Sequence, residues 1–520
     1  MPVEPPRPAH TPRLAALSAA WFGQAYLWNG LHAIVLPVML AGLAPAAFKA
    51  TTLGGLTFVG LALAMVTQPI AGAISDRSGW LGRYGRRRPW IALGTAIDLA
   101  LLALLALSRN FLMVAVVYAA MQIASSFAEA ALQALLPDRV PSAQRGRAAG
   151  YKNAAQIAGF VAGVALGGYF ASRGQISLAL AAAGLALGGS VLWTVLGVRE
   201  QPVRRRARLA IPTLGALRAS FHIDHRAAPG YGRLLAGRGL LMAGFFALQG
   251  FAQYFIADKL GIANPAGVTA LLMAVMGAAI FLLAVPTGVL ADRVGRRPLN
   301  VFAAMLGAGA TAALLFVANV WQLIIAGGLV GASAGIFMSV NWAWAADLAP
   351  QEEAGRYLGL SNVATAGASA LSRLIAGPII DGGNALRAGV GYDLLFFVLA
   401  LAMFAGALLL AGTPETRPLP SQPAPQPAPP PLRPVSPSPL RPVSDRASTP
   451  LGPVSDRAPT PLGPVSDRAP SPPGPVSDRA PSPLGPVSDR APSPLGPVSD
   501  RAPSPLGPVS DRARPRDDSP

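Results

Sequence analysis

The sequence predicts an all-α membrane protein: twelve transmembrane helices in two six-helix bundles, followed by a disordered C-terminal tail. Three observations predict it. Hydrophobic residues make up 52% of the 520 residues and charged residues only 13%, about half the ~25% charge of an ordinary soluble domain. A helix needs ~20 apolar residues to cross the hydrocarbon core, and twelve such runs precede Thr413. Finally, a polar motif at the end of the second run returns at the end of the eighth, which marks two like halves.

The first run, 14–40, is too long and too rich in polar and aromatic residues for a cleaved signal peptide; it carries Trp21, Gln24, Tyr26, Trp28, Asn29 and His32. The second, 51–75, passes Pro69 and leads into Gly72, Asp76 and Arg77. The third, 89–108, starts after Gly85, Arg86, Arg87 and Arg88 and carries Asp98. The fourth, 111–136, holds Gln122, Glu129 and Gln133 and stops at Pro137 and Asp138. The fifth, 148–171, follows Arg147 and carries Lys152, and the sixth, 176–198, completes the first bundle. In the second bundle the seventh run, 236–258, carries Gln249, Gln253 and Tyr254. The eighth, 267–290, leads into Gly288, Asp292 and Arg293, and the ninth, 298–318, follows Gly295, Arg296 and Arg297. The tenth, 321–347, carries Asn341, Trp342 and Trp344 and stops at Asp347. The eleventh, 357–381, follows Arg356 and carries Arg373, and the twelfth is 391–412. Frequent Gly and Ala suit close helix packing in lipid. The expected plan is a cytoplasmic N-terminus 1–13, a bundle 14–198, an Arg-rich central loop 199–235, a bundle 236–412 and a tail 413–520.

Lys and Arg favour the cytoplasmic side of short loops. With both termini in the cytoplasm, inside segments before the tail hold 23 basic residues and outside loops hold 5. The formal charge of +18 therefore reads as topology beside an anionic leaflet of the inner membrane, with no nucleic-acid partner required. Absence of cysteine excludes disulfides and thiolate metal sites. His222 and His225 have loose metal-like spacing without further ligands, so neither a metal site nor a cofactor is expected. No nucleotide-binding glycine loop and no nucleophile–base set is visible, which argues against ATP-driven transport and against an enzyme. The tail is an 11-residue repeat whose Val-Ser-Asp-Arg core occurs seven times between Val443 and Arg512. Its proline density and scarcity of apolar residues predict disorder. It reads either as an expanded repeat without a function or as a docking or phosphorylation platform at Ser455, Ser466 and their equivalents.

The duplication is specific. Gly72, Asp76 and Arg77 with Gly85, Arg86, Arg87 and Arg88 match Gly288, Asp292 and Arg293 with Gly295, Arg296 and Arg297; six extra residues interrupt the first copy. Asp138 with Arg147 matches Asp347 with Arg356 at identical spacing. Parallel repeats about an axis along the membrane normal are the architecture of the major facilitator superfamily. From Leu14 to Gly412 the chain resembles that superfamily, with its cytoplasmic loop motif in both halves. The physical reading is a cytoplasmic gate: glycines permit close approach, and carboxylates at helix ends accept from guanidinium groups. The competing reading is that the arginines only fix topology and bind headgroups.

Charges inside spans are costly and mark function by default. Glu129 lies eight residues before Pro137, about 12 Å from the helix end, and Lys152 enters the neighbouring span. Facing a cavity, such a pair exchanges partners with a proton; packed in the bundle, it is a static ion pair. Asp98 is a further proton-coupling candidate, or a packing residue on a peripheral span. Ser75, Asp76 and Arg77, followed by Gly85 to Arg88, Pro89, Trp90 and Ile91, resemble the loop of the sucrose/proton symporters. Glu129 and Lys152 resemble the acidic and basic residues of the glycoside–pentoside–hexuronide:cation symporters, with Arg373 matching a basic residue on the eleventh span. The paired aspartates of their melibiose branch are replaced by Gln68 and Ala64, so the resemblance implies a proton rather than sodium. Met338 stands where the second half would repeat Glu129.

Sugars bind aromatic faces and neutral hydrogen-bonding groups. The expected substrate-binding set is Gln24, Trp28, Asn29, His32, Gln122, Gln133, Gln249, Gln253, Tyr254, Asn341, Trp342 and Arg373, mostly on the first, fourth, seventh and tenth spans, which line the cavity in this superfamily. Interfacial aromatics and interhelical amide bonds are the competing reading. The leading expectation is a monomeric proton-coupled sugar symporter working by alternating access. An exporter of amphipathic compounds and a receptor signalling through the tail are the alternatives.

Overall fold

The computed structural model describes residues 11–77, 84–141, 144–198, 200, 223–224, 226–350 and 353–415. The repeat tail from 416 onward, with Ser455 and Ser466, and His222 and His225 lie outside the described residues. Within them, twelve helices are long and apolar enough to cross a membrane: α1 Thr11–Leu43, α2 Lys49–Arg77, α3 Arg88–Ala106, α4 Phe111–Arg139, α5 Arg145–Ala171, α6 Ile176–Gly197, α7 Tyr231–Asp258, α8 Pro265–Val294, α9 Arg296–Ala313, α10 Val320–Leu348, α11 Ala354–Leu386 and α12 Val390–Ala411. The shortest, α9, has 18 residues and so spans about 27 Å at ~1.5 Å per residue.

The two halves repeat at the level of caps. Asn110 and Asn319 begin α4 and α10, and each side-chain oxygen accepts from the third residue on, Met113 N–H at 2.8 Å and Gln322 N–H at 3.0 Å. That bond satisfies one orphan donor of the helix start. α7 begins at Tyr231, ahead of the apolar run that starts at 236, and this draws Arg233 out of the central loop and into a span.

α1 is interrupted. It is α-helical to Gly30, makes one π turn over Leu31–Val35, and resumes over Leu36–Leu43 with Pro37 in its first turn. Proline lacks the N–H that would serve the carbonyl four residues back. The side chain of Gln253 on α7 meets that need: with its nitrogen facing α1, it donates to the carbonyls of Ala33 and Ile34, both at 3.2 Å.

Within the first half α1 packs on α5 and α6, and within the second α7 packs on α11 and α12. The halves meet along α2 with α11, α5 with α8, and the π turn of α1 with α7.

Candidate transport site

At the end away from the arginine-rich loops, the halves are tied together. Lys49 Nζ in the first turn of α2 lies 2.5 Å from Asp258 Oδ1 in the last turn of α7. Tyr392 donates its hydroxyl to the other Asp258 oxygen, and Lys259 pairs with Asp393. The Tyr254 hydroxyl donates to the Pro37 carbonyl at 3.1 Å. Asp381 on α11 accepts the backbone N–H of Thr51 at 2.6 Å and of Ala50 at 3.3 Å. The backbones themselves touch: a Cβ on Gly54 would stand 2.2 Å from the Arg373 carbonyl oxygen, and one on Gly377 2.6 Å from the Ala50 oxygen.

Behind this seal lies a cavity of ≈ 1320 Å³, its open mouth included. α1 contributes Trp21, Gln24, Trp28, Asn29 and His32; α2 contributes Ala64, Met65 and Gln68; α4 contributes Gln122 and Glu129; and α5 contributes Gln156. From the second half come Phe246 and Gln249 on α7 and a stripe on α11 of Asn362, Thr365, Ser369 and Arg373. Those four recur every three or four residues, so they share one helix face.

Hydrogen bonds order the wall. The Tyr118 hydroxyl accepts from Gln122 Nε2 at 2.8 Å and bonds His32 Nε2 at 2.8 Å. Asn29 donates to the Ala25 carbonyl at 2.8 Å and accepts from Gln249 at 3.4 Å, across the two halves. Glu129 Oε1 accepts from Gln133 Nε2 at 3.2 Å. Three buried polar atoms of the lining residues have no hydrogen-bond partner among the described residues: Trp21 Nε1, Gln24 Oε1 and Arg373 Nε.

The structure brings together Gln24, Trp28, Asn29, His32, Gln122, Glu129, Gln249 and Arg373 on one wall, and places the other expected residues elsewhere. Glu129 and Lys152 do not form an ion pair; Lys152 Nζ instead lies 4.0 Å from the centre of the Trp21 ring. Asp98 is fully buried between α3 and α4, where Ser125 Oγ donates to it at 2.6 Å, away from the cavity. Gln133 is exposed and touches the site only through Glu129. Gln253 and Tyr254 are consumed by the carbonyls of α1. Asn341 and Trp342 do not line the cavity, which takes its second-half polar wall from α11 rather than α10. Asn341 is spent on Arg238, whose Nη1 donates to its Oδ1 at 2.5 Å while Nε donates to Thr365 Oγ1 at 2.8 Å. The sequence analysis did not single out Tyr118, Gln156, Arg238 or, on α11, Asn362, Thr365 and Ser369; the helical spacing of Tyr118 with Gln122 and of 362, 365 and 369 with Arg373 was the available signal.

At the arginine-rich end the duplicated motif folds alike in both halves. Arg87 is 3% exposed and pairs with Asp76. Its Nε reaches Asp138 Oδ2 at 3.2 Å and its Nη1 donates to Ser75 Oγ at 3.1 Å. Arg86 Nη2 shares that Asp138 oxygen at 3.0 Å. In the second half Arg296 Nε lies 2.6 Å from Asp347 Oδ2 and its Nη2 4.0 Å from Asp292. Glu200, beyond α6, accepts the backbone N–H groups of Arg87 and Arg88 at 2.8 and 3.0 Å. Glu415, beyond α12, does the same for Arg296 and Arg297 at 2.8 and 2.9 Å. Gly85 (φ +98°) and Gly295 (φ +104°) make the turns that allow this. Arg147 donates to Thr11 Oγ1 at 3.0 Å, Arg356 pairs with Glu353, and Arg293 is exposed; the Arg77 side chain lies outside the described residues.

One expectation changes here. A methyl on Gly72 would meet only Ala130 Cβ at 4.0 Å, an ordinary contact, so close approach is not what that glycine supplies; at Gly288 the nearest atom is Ser339 Oγ at 3.3 Å. The ion pairs join helices of one half rather than latching the halves together, among the described residues. With the opposite end sealed, the cavity opens toward the arginine-rich end.

A search of curated protein sequences finds no match. Among solved structures, a bacterial homolog of the human lysosomal transporter Spinster, inward-facing and unoccupied, superposes with TM-score 0.56 at 16% identity, covering 77% of this chain and 95% of that one. The nucleoside transporter NupG gives TM-score 0.60 at 14% identity over 76% and 98%. The peptide transporter POT in complex with sulfate gives 0.59 at 14% over 77% and 94%. These likenesses concern the fold. The family profile of the Major Facilitator Superfamily matches twice, over residues 18–257 and 234–460. The chain is thus an integral, multi-pass membrane protein with a secondary-transporter fold, and it belongs to the Major Facilitator Superfamily.

Proposed function

We propose that the chain is a proton-coupled sugar symporter of the inner membrane that works by alternating access, with both termini cytoplasmic. One observation carries this reading: seven amide side chains, Gln24, Asn29, Gln68, Gln122, Gln156, Gln249 and Asn362, converge with two indoles on one cavity between the halves. An amide offers donors and an acceptor without net charge, which is what successive sugar hydroxyls require. The faces of Trp21 and Trp28 suit the apolar side of a pyranose ring. An exporter of amphipathic compounds would want an apolar wall in place of these amides. Glu129 faces the cavity with an amide, Gln133, and no cation on its carboxylate, which suits a group that gains and loses a proton. The basic loops at the open end fit an anionic headgroup layer.

The decisive experiment is reconstitution into proteoliposomes with an imposed inward proton gradient and a panel of labelled sugars. At least one sugar is expected to accumulate above equilibrium while protons enter with it. If no sugar on the panel accumulates or moves protons, the reading fails.

A further inference from the structure

We infer that the sugar taken by this cavity bears an oxyanion, a carboxylate or a phosphate ester, and that Arg373 is its partner. The inference rests on the sugar reading and narrows it. Arg373 is 4% exposed, lines the cavity from α11, and takes part in no described ion pair or side-chain hydrogen bond. Its position is built: the stem runs over Gly250 on α7, where a Cβ would stand 3.4 Å from Nε. Two further cations, Arg238 and Lys152, stand behind the lining residues without a carboxylate partner among the described ion pairs. Arg238, 7% exposed, donates to the neutral Asn341 and Thr365 and lies 5.9 Å from the centre of the Trp342 ring. Thr365 lines the cavity eight residues before Arg373, about 12 Å away along α11. Lys152 rests on the Trp21 ring. Of the described residues that line the cavity, Arg373 is the one cation and Glu129 the one carboxylate, and Glu129 lies on the other half, where it accepts from Gln133.

A buried cation in a membrane protein is expensive unless something neutralises it. The described chain supplies no counter-ion for Arg373, so the cargo does. A guanidinium presents a planar fork of donors that matches the two oxygens of a carboxylate or a phosphate, and is more easily stripped of water than an ammonium. The amides around it then read the hydroxyls of the same molecule. Arg238 holds Thr365 in place and adds positive potential at the far end of the stripe.

The test uses the full chain in lipid nanodiscs and isothermal titration with three matched probes: glucose, glucuronate and glucose 6-phosphate, with the galactose series run in parallel. At least one oxyanion form is expected to bind tenfold or more tightly than its neutral parent. Arg373→Gln should weaken that binding about a hundredfold, and Arg373→Lys should weaken it less. Ligand-free melting temperatures show whether the variants fold; if Arg373→Gln does not, the comparison of probes on the unaltered chain decides alone. A neutral sugar that binds as tightly as both of its oxyanion forms overturns the inference and leaves the sugar reading standing. Binding of none of the probes overturns both. An oxyanion preference that survives Arg373→Gln overturns the assignment to Arg373.

Discussion

Asp381 on α11 closes the first turn of α2, a helix of the other half, by accepting the N–H of Thr51 at 2.6 Å and of Ala50 at 3.3 Å. A carboxylate there satisfies two orphan donors and meets the positive end of the helix dipole. The bond exists only while the halves are shut at this end, so it stabilises the sealed state selectively. Asp381→Ala should cost that state ~1 kcal/mol, as loss of an N-terminal cap does, and shift the sealed-to-open ratio about fivefold. The chain has no cysteine, so a single Ala64→Cys in the cavity wall reports directly. An impermeant maleimide added from the sealed side should label it about fivefold faster in the Asp381→Ala background. An unchanged rate would place the seal on the Lys49–Asp258 pair instead.

Two glycines of similar sequence context should behave oppositely. A methyl on Gly377 would lie 2.6 Å from the Ala50 oxygen and 2.7 Å from Thr51 Cα, both backbone atoms that have little room to yield. Gly377→Ala is expected to prop the seal open and to reduce uptake at least tenfold. Gly72→Ala meets only Ala130 Cβ at 4.0 Å, and alanine favours the helix by ~1 kcal/mol. Uptake should stay within twofold and the melting temperature should not fall. Equal damage from both would mean that helix contact at Gly72 tightens in another state of the cycle.

The spans and the duplication were legible because apolar length and repeated Gly–Asp–Arg spacing are local properties of the chain. Depth and pairing are not. Gln253 and Tyr254 share the helix with Gln249, yet of the three only Gln249 lines the cavity; the other two donate to the carbonyls of Ala33, Ile34 and Pro37 where α1 is interrupted. Asn341 on α10 is taken by Arg238 on α7, and a pairing between residues 103 positions apart is not contained in the spacing of either span. Lys152 had two possible partners, and a choice between the Trp21 face and the Glu129 carboxylate depends on side-chain geometry that spacing does not contain. The α11 stripe is present in the sequence at helical spacing, but Asn362, Thr365 and Ser369 are uncharged, and such side chains serve helix packing in lipid as readily as a cavity wall.

The arginine motif should prove to be a stability element of each half. Arg87 is buried among Asp76, Asp138 and Ser75, and Arg87→Ala leaves two neighbouring carboxylates without it. Both are partly open to solvent, so the cost is discounted to ~1–3 kcal/mol. That should appear as a melting temperature several degrees lower in scanning fluorimetry. Adding Asp138→Ala should cost less than the sum of the single changes, because the pair acts as one unit. Arg296→Ala, its counterpart beside Asp347, should lower stability by a similar amount. Full additivity of Arg87→Ala and Asp138→Ala would mean that the contact contributes nothing.

Glu129→Gln isolates the coupling step. The amide keeps the size of the side chain and still accepts from Gln133, which now stands at 3.2 Å from Glu129 Oε1, but it cannot titrate. Lys152 is engaged with Trp21 and does not depend on the carboxylate for its position. Sugar exchange at equal concentrations on both sides should therefore persist within a few-fold, whereas accumulation driven by a proton gradient should fall to the equilibrium level. The two assays run on the same vesicles, so loss of exchange as well would indicate a damaged binding site rather than lost coupling. Uphill uptake that survives the change would move the proton to another titratable group of the wall. His32, hydrogen-bonded to Tyr118 at 2.8 Å, would then be the group to replace.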